Sequence, residues 1–190
     1  AIAENTAAGV VYTAAATGAS SYALKGSGDG SLFTINAGTG AVSINSSANY
    51  EAKSSYVFTV VATDAAGNAA EQDVTLAITN VDDTAPVFAA GESATGATLA
   101  ENAALGTVVY RALATDSQDV SAGVTYTLGG TDGAKFGINA QTGEVTLAAG
   151  LDYEAKSSYS FTVTATDGAG LTDVITVSGT VTDVDEVAPT

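Results

Sequence analysis

The segment Tyr50-Glu51-Ala52-Lys53-Ser54-Ser55-Tyr56 returns unchanged as Tyr153-Glu154-Ala155-Lys156-Ser157-Ser158-Tyr159, and both copies run on into Phe-Thr-Val and then Ala-Thr-Asp. A repeat of this kind constrains the chain more than any composition does, because whatever one copy folds into, the other must too. Upstream, Phe33, Ile35, Asn36, Thr39, Gly40 and Val42 are matched by Phe136, Ile138, Asn139, Thr142, Gly143 and Val145. Ala3-Glu4-Asn5-Thr6-Ala7 is matched by Ala100-Glu101-Asn102-Ala103-Ala104, and each copy closes on Ala-Pro, at Ala85-Pro86 and Ala188-Pro189. The 190 residues therefore divide into a first repeat over residues 1–83 and a second over residues 84–190, which ends in a further linker. Phe88 is the one aromatic without a mate. Its mate would fall before residue 1, so the first repeat is expected to lack most of its first strand.

Within each copy the spacing is that of strands. Tyr56, Phe58, Val60 and Ala62 share one face with Thr59 and Thr63 on the other, and Tyr159, Phe161, Val163 and Ala165 repeat the alternation. A second alternation through Val74, Leu76 and Ile78 is read as matching Ile175, Val177 and Val181. Gly-containing turns at Ala65-Ala66-Gly67-Asn68 and Gly168-Ala169-Gly170 join these strands, and Asn36 to Gly40 and Asn139 to Gly143 read as hairpin turns. The alanine-rich stretch from Thr13 to Thr17 does not sustain a helical period. Each copy is expected to be an all-β sandwich of about seven short strands.

Composition narrows the chemistry. With no Cys and no His, the chain has no disulfide, no thiolate zinc site and few of the usual general bases or nucleophiles, so an enzyme is not expected. Apolar residues make up 46%, weighted to Ala and Val, which predicts thin cores. Asp and Glu number 21 against 5 Lys and Arg, a formal net charge of −16. Such a surface repels nucleic acid and anionic lipid and suits hard cations that take oxygen ligands. No apolar run approaches the roughly 20 residues needed to cross a bilayer. Gly129-Gly130-Thr131-Asp132-Gly133 has the look of a glycine-rich calcium repeat, but a single copy reads as a loop turn. Asn45-Ser46-Ser47 is a glycosylation sequon.

The acids gather at the repeat ends. Asn80-Val81-Asp82-Asp83-Thr84-Ala85-Pro86 joins the copies, while Glu4, Glu51, Asp116, Asp119 and Asp167 fall in loops. A Glu-Asn near the start, an acid pair in mid-repeat, Ala-Thr-Asp after a long strand and an acidic linker ending in Pro follow in order. By this ordered set the chain resembles the cadherin superfamily over essentially its whole length. The resemblance implies two tandem Greek-key, seven-stranded β-sandwiches of immunoglobulin-like architecture, with Ca²⁺ held at the junction between repeats.

Carried over position by position, the resemblance assigns metal ligands to Glu4 and Glu51, with Asn49 at the place of an Asp. The linker would add Asp82 and Asp83 through side chains and Val81 and Thr84 through backbone carbonyls. The second repeat would add Asp116 and Asp167, with Gln118 or Asp119 completing an Asp-x-Asp. Asn80 and Asp82 also depart from the family's linker pattern, and the substitutions at Asn49 and Gln118 weaken individual sites, so two ions are expected before three. Glu4, Glu51, Asp82, Asp83, Asp116, Asp119 and Asp167 are the cluster that would need a cation, since like charges near 4 Å cost roughly 1 kcal/mol in water and more where solvent is excluded. Where the second repeat reads Thr115-Asp116-Ser117-Gln118-Asp119, the first reads Thr17-Gly18-Ala19-Ser20 without acids. Glu101, Asp152, Glu154, Asp183, Asp185 and Glu186 look like half of a further junction, expected to bind weakly or not at all by itself.

The function expected is a calcium-rigidified extracellular spacer or adhesion module of a larger surface protein, secreted or on the cell surface. Its Ala, Gly, Thr and Asp richness resembles a bacterial adhesin. Expected partners are calcium, neighbouring repeats of the same chain, and surface glycans or like modules. The alternative is a calcium-dependent carbohydrate-binding module.

Overall fold

The structure, a computed structural model, describes residues 1–91, 93–116 and 123–185. It divides into two compact units, Ala1–Val81 and Asp82–Thr190. The first unit contains β1 (Ile2–Ala3), β2 (Val10–Thr13), β3 (Ala19–Leu24), β4 (Phe33–Ile35), β5 (Ala41–Ile44), β6 (Ser55–Asp64) and β7 (Ala69–Thr79). One sheet runs β1-β7-β6-β3 and the other β2-β5-β4.

The second unit repeats this plan and adds to it. It contains β8 (Val87–Phe88), β9 (Ser93–Thr95), β10 (Leu99–Ala100), β11 (Val108–Arg111), β12 (Ala114–Thr115), β13 (Thr125–Gly129), β14 (Phe136–Ile138), β15 (Glu144–Leu147), β16 (Ser158–Thr166) and β17 (Thr172–Thr182). Its main sheet is β10-β17-β16-β13 with β9 also on β17, the facing sheet is β11-β15-β14, and β8 pairs with β12. The short strands β1 and β10 lie parallel to β7 and β17, whereas the other ladders within each unit, apart from β9 on β17, are antiparallel. The described residues hold no α-helix, only 3-10 turns at Gly30–Leu32 and Gly133–Lys135.

Alternation sets the cores, as the sequence suggests. Phe161 and Val163 of β16 and Ile175 and Val177 of β17 are fully buried, and Phe58 lies in the same place in the first unit. Phe58 packs on Phe33 with ring centroids 4.5 Å apart, and Phe161 on Phe136 at 4.7 Å. Each ring contributes about 3 kcal/mol of apolar burial, so paired aromatics, rather than alanine alone, fill each sandwich. Thr59, on the outward face, is nevertheless buried because its hydroxyl donates to Asp73 Oδ1 at 2.7 Å.

The expected β-turns form where predicted. Asn36 Oδ1 accepts from the backbone N–H groups of Gly38 and Thr39, and Asn139 does the same for Gln141 and Thr142. Gly40 and Gly143 close these turns with φ of 72° and 68°. A Cβ there would lie 2.5 Å from Ala14 O and 2.4 Å from Ala112 O, so glycine is required on two counts.

One match needs correction. Val74 lies opposite Phe58 and Val177 opposite Phe161. Val74 therefore corresponds to Val177, Gln72 to Ile175 and Leu76 to Gly179. A two-residue slip leaves strand alternation unchanged, which is why the pattern alone did not reveal it. Gly179 has its own reason: the Tyr159 ring lies over it, and an added Cβ would come within 2.2 Å of the ring.

Candidate metal centre

A buried glutamate pins each repeat at the end of a short strand, β1 in the first unit and β10 in the second. In the first unit, Glu4 follows β1, and Asn5 turns the chain with φ 57°, a conformation asparagine tolerates. Glu4 is 2% exposed; its Oε2 accepts from Tyr50 N at 2.7 Å and its Oε1 from Val81 N at 2.8 Å. In the second unit, Glu101 Oε2 accepts from Tyr153 N at 2.9 Å and Oε1 from Val184 N at 2.7 Å. The N–H groups of Tyr153 and Val184 hold the Glu101 carboxyl below its ordinary value. Each glutamate thus fixes the segment leaving the last strand against the segment that carries Glu51 or Glu154.

Three aspartates converge in the second unit. Oxygens of Asp82, Asp116 and Asp167 lie within 4.8 Å of one another. Asp167 is 7% exposed, and its Oδ1 accepts from Ala169 N and Leu171 N, which forms the turn between β16 and β17. The other oxygen, Oδ2, and Oδ2 of Asp116 are buried without a hydrogen-bond partner among the described residues. Buried carboxylate oxygens are ordinarily partnered, and two orphaned ones beside a third acid are a donor set for a hard cation.

The first unit supplies an internal control. Asp64 occupies the place of Asp167, and its Oδ1 accepts from Ala66 N and Asn68 N. Its Oδ2, however, is taken by Asn68 Nδ2 at 2.9 Å. That side-chain bond heads the interactions that hold the Asp64 carboxyl low. The second unit has Leu171 at the place of Asn68, and Gly18 stands in the first unit where the second has Asp116.

A second acidic group brings Glu101, Glu154 and Asp183 within 4.8 Å. Although its own backbone N–H holds the Glu154 carboxyl down, burial and the nearby Glu101 and Asp183 carboxylates push it above its ordinary value. Glu4, Glu51 and Asn80 hold the corresponding positions in the first unit. Asn80 Oδ1 is buried and without a hydrogen-bond partner among the described residues. The linker pattern marks Asn80 only as a departure, and the signal that finds it is its alignment with Asp183.

The other expected ligands fall out as follows. Asn49 Oδ1 accepts from Ala52 N at 2.7 Å, as Asp152 Oδ1 does from Ala155 N at 2.8 Å, so each serves a turn. Glu51 and Asp83 are exposed, Thr84 is half-buried, and Val81 directs its N–H at Glu4. Gln118, Asp119 and Glu186 lie outside the described residues. Asp132, in the glycine-rich loop, is engaged otherwise, accepting from Lys156 Nζ at 2.6 Å and Ser160 N at 2.7 Å.

The Cadherin domain family model matches residues 5–81 and 95–182. The chain belongs to the cadherin family. Its similarity to the Drosophila melanogaster protocadherin-like wing polarity protein stan is 38% identity over 164 residues, covering 80% of this chain and 4% of that protein. To human protocadherin Fat 1 it is 34% over 176 residues, 88% of this chain and 4% of that one. Cadherin repeats EC22-24 of mouse cadherin-23 superpose with a TM-score of 0.74 at 29% identity, covering 96% of this chain and 61% of that one. The chain thus spans a small fraction of its curated relatives' length, and it is a tandem pair of cadherin repeats with a β-sandwich in each.

Proposed function

We propose that this cadherin-repeat pair binds Ca²⁺ and serves as a calcium-stiffened extracellular spacer or adhesion module of a longer surface protein. The observation that carries the reading is the pair of buried, unpartnered oxygens on Asp116 and Asp167 beside Asp82. Three carboxylates this close suit a cation that takes six to eight oxygens, and no Cys or His is present to favour a softer metal. Asp82, Asp116 and Asp167 would hold the ion, with Asp83 as a further oxygen donor. Bound calcium supplies charge neutralisation and a cross-brace. Asp82 stands in the segment between β7 and β8, so a held ion turns that segment from a hinge into a strut.

A carbohydrate-binding reading is not favoured, because no Trp is present and none of the Tyr or Phe rings is exposed to form a sugar-stacking floor. Among the described residues no helix is long and apolar enough to cross a membrane. The alanine-, glycine- and threonine-rich composition fits a bacterial surface adhesin. Calorimetric titration of the chelator-treated protein with CaCl₂ tests the reading. Saturable binding that Asp167→Ala weakens by at least about tenfold, together with a calcium-dependent maximum dimension in X-ray scattering, is expected. No saturable heat would end it.

A further inference from the structure

The three converging aspartates all depart from one transverse row of the second repeat. Ala165 of β16 lies opposite Asp173 of β17, and Phe88 of β8 lies opposite Ala114 of β12. Asp173 Oδ2 accepts from Phe88 N at 3.0 Å, which completes the row from β16 through to β12. Asp167 stands two residues beyond Ala165, and Asp116 two residues beyond Ala114. Both ladders are antiparallel, so the chain running back from Phe88 through Pro86 to Asp82 heads the same way as the chain running forward from Ala114 to Asp116. At that end the oxygens of Asp82, Asp116 and Asp167 meet.

One link in that row differs in kind. Backbone ladders join β16 to β17 and β8 to β12, whereas among the described residues no ladder joins β8 to β17. Ala89 N donates to Leu113 O, so in the alternation of an antiparallel pair the neighbouring Phe88 turns its N–H away from β12. Phe88 is 2% exposed, and a backbone donor at that depth needs a partner. The Asp173 carboxylate supplies it, and an ionised acceptor makes the stronger kind of hydrogen bond. Its other oxygen, Oδ1, accepts from Val174 N at 2.8 Å, which holds the side chain in place. Asp173 is not one of the three acids whose oxygens converge. In the first repeat its position belongs to Ala70, which lies opposite Ala62 as Asp173 lies opposite Ala165. The acid is thus present in the repeat whose aspartate oxygens are open and replaced in the one where Asn68 closes Asp64.

We propose that Asp173 is a positioning residue for the cation: by holding β8 against β17 it sets Asp82 and Asp116 against Asp167, without itself being a ligand. The inference rests on the calcium reading above and adds to it the residue that assembles the donor set. Hydrogen bonds that orient metal ligands from behind are worth about ten- to a hundredfold in affinity. Binding of the ion and seating of β8 are then linked, and each strengthens the other by the same factor.

Calorimetric titration of the whole chain with CaCl₂ compares the parent with Asp173→Ala and Asp173→Asn. Both substitutions remove the same charge, but asparagine keeps an oxygen for Phe88 N. Asp173→Ala should weaken binding at least about tenfold, while Asp173→Asn should stay close to the parent. Hydrogen exchange on the unmodified chain gives a reading that needs no variant to fold. Calcium should slow exchange at Phe88 and Ala89 more than at Leu147, whose N–H donates to Thr107 O in the same repeat. Equal loss of affinity in both variants would assign the effect to charge and overturn the positioning role. Unchanged affinity in Asp173→Ala, or equal slowing at Phe88 and Leu147, would overturn it as well. A parent without saturable binding ends the calcium reading and this inference together, an outcome distinct from a parent that binds alongside an Asp173→Ala variant that binds equally.

Discussion

Asn68 Nδ2 donates to Asp64 Oδ2 at 2.9 Å, whereas Leu171, at the same place in the second repeat, leaves Asp167 Oδ2 with no such bond. One side chain therefore separates a carboxylate closed on its own turn from one left open. Leu171→Asn should close Asp167 in the same way and lower calcium affinity about tenfold, with β16 and β17 intact. Calorimetry on the variant, with circular dichroism as the folding control, checks this; unchanged affinity would separate the open oxygen from metal binding.

Removing charge from the aspartate group should act in opposite directions with and without metal. In chelator, Asp116→Asn relieves repulsion among three close carboxylates and should raise the melting temperature of the second repeat. In millimolar calcium the same variant should melt below the parent, because a ligand that binds only the folded state stabilises it by mass action. Paired thermal melts provide the measurement, and a variant that shifts the same way in both conditions would contradict the metal assignment.

Asp132 joins its own turn to the start of β16: its carboxylate accepts from Lys156 Nζ and Ser160 N, while its backbone carbonyl accepts from Lys135 N in the turn at Gly133–Lys135. Burial pushes its carboxyl up, but the bonds from Lys156 and Ser160 outweigh it and hold the group below its ordinary value. A carboxyl with a lowered folded value contributes stability above its unfolded value and loses it as pH falls through the folded one. Asp132→Asn should therefore destabilise at pH 7 by no more than about 1 kcal/mol, given the partial exposure of the pair. Urea melts between pH 7 and pH 2 should show the gap closing below about pH 4.

Gly179 gives the sharpest packing test. The Tyr159 ring covers it, and the Tyr159 hydroxyl donates to Ala97 O. Gly179→Ala forces the ring away and should cost about 1–3 kcal/mol. Leu76→Ala in the first repeat, where no ring covers the position in this way, should instead cost about 2–5 kcal/mol through a cavity. Chemical denaturation of the two variants distinguishes the mechanisms: a Tyr159→Ala background should rescue Gly179→Ala and leave Leu76→Ala unchanged.

Much of this was legible before any coordinates. The repeat, the long strands β6, β7, β16 and β17 and the Asn36 and Asn139 turns follow from residue type and spacing, whereas the grouping of Asp116 with Asp167 is what the family resemblance implies. The pairing of Leu76 with Gly179 was not, because strand period is two and a slip by two keeps every side chain on its face. Nor could spacing tell Asp64 from Asp167, since both stand in Ala-Thr-Asp and the distinction lies four residues on, at Asn68 and Leu171. Asn80 escaped because an amide in place of an acid looks like a loss, although its oxygen remains an acceptor. Residues 117–122 carry Gln118 and Asp119, and their part in the site rests on the family resemblance.

The parallel pairing of β1 with β7 and of β10 with β17 has a mechanical consequence. In the first repeat β1 and β7 run the same way, and in the second β9 and β10 both run with β17, so tension along the chain pulls each pair in opposite directions past one another. The ladder bonds at Ile2 and Ala3, and at Leu99 and Ala100, are loaded in shear together rather than peeled one at a time. Glu4 and Glu101 lie at the ends of these ladders as bolts, holding Val81 and Val184 against the pull. A filament strung from such units yields at a threshold force, governed by its unfolding rate, instead of creeping.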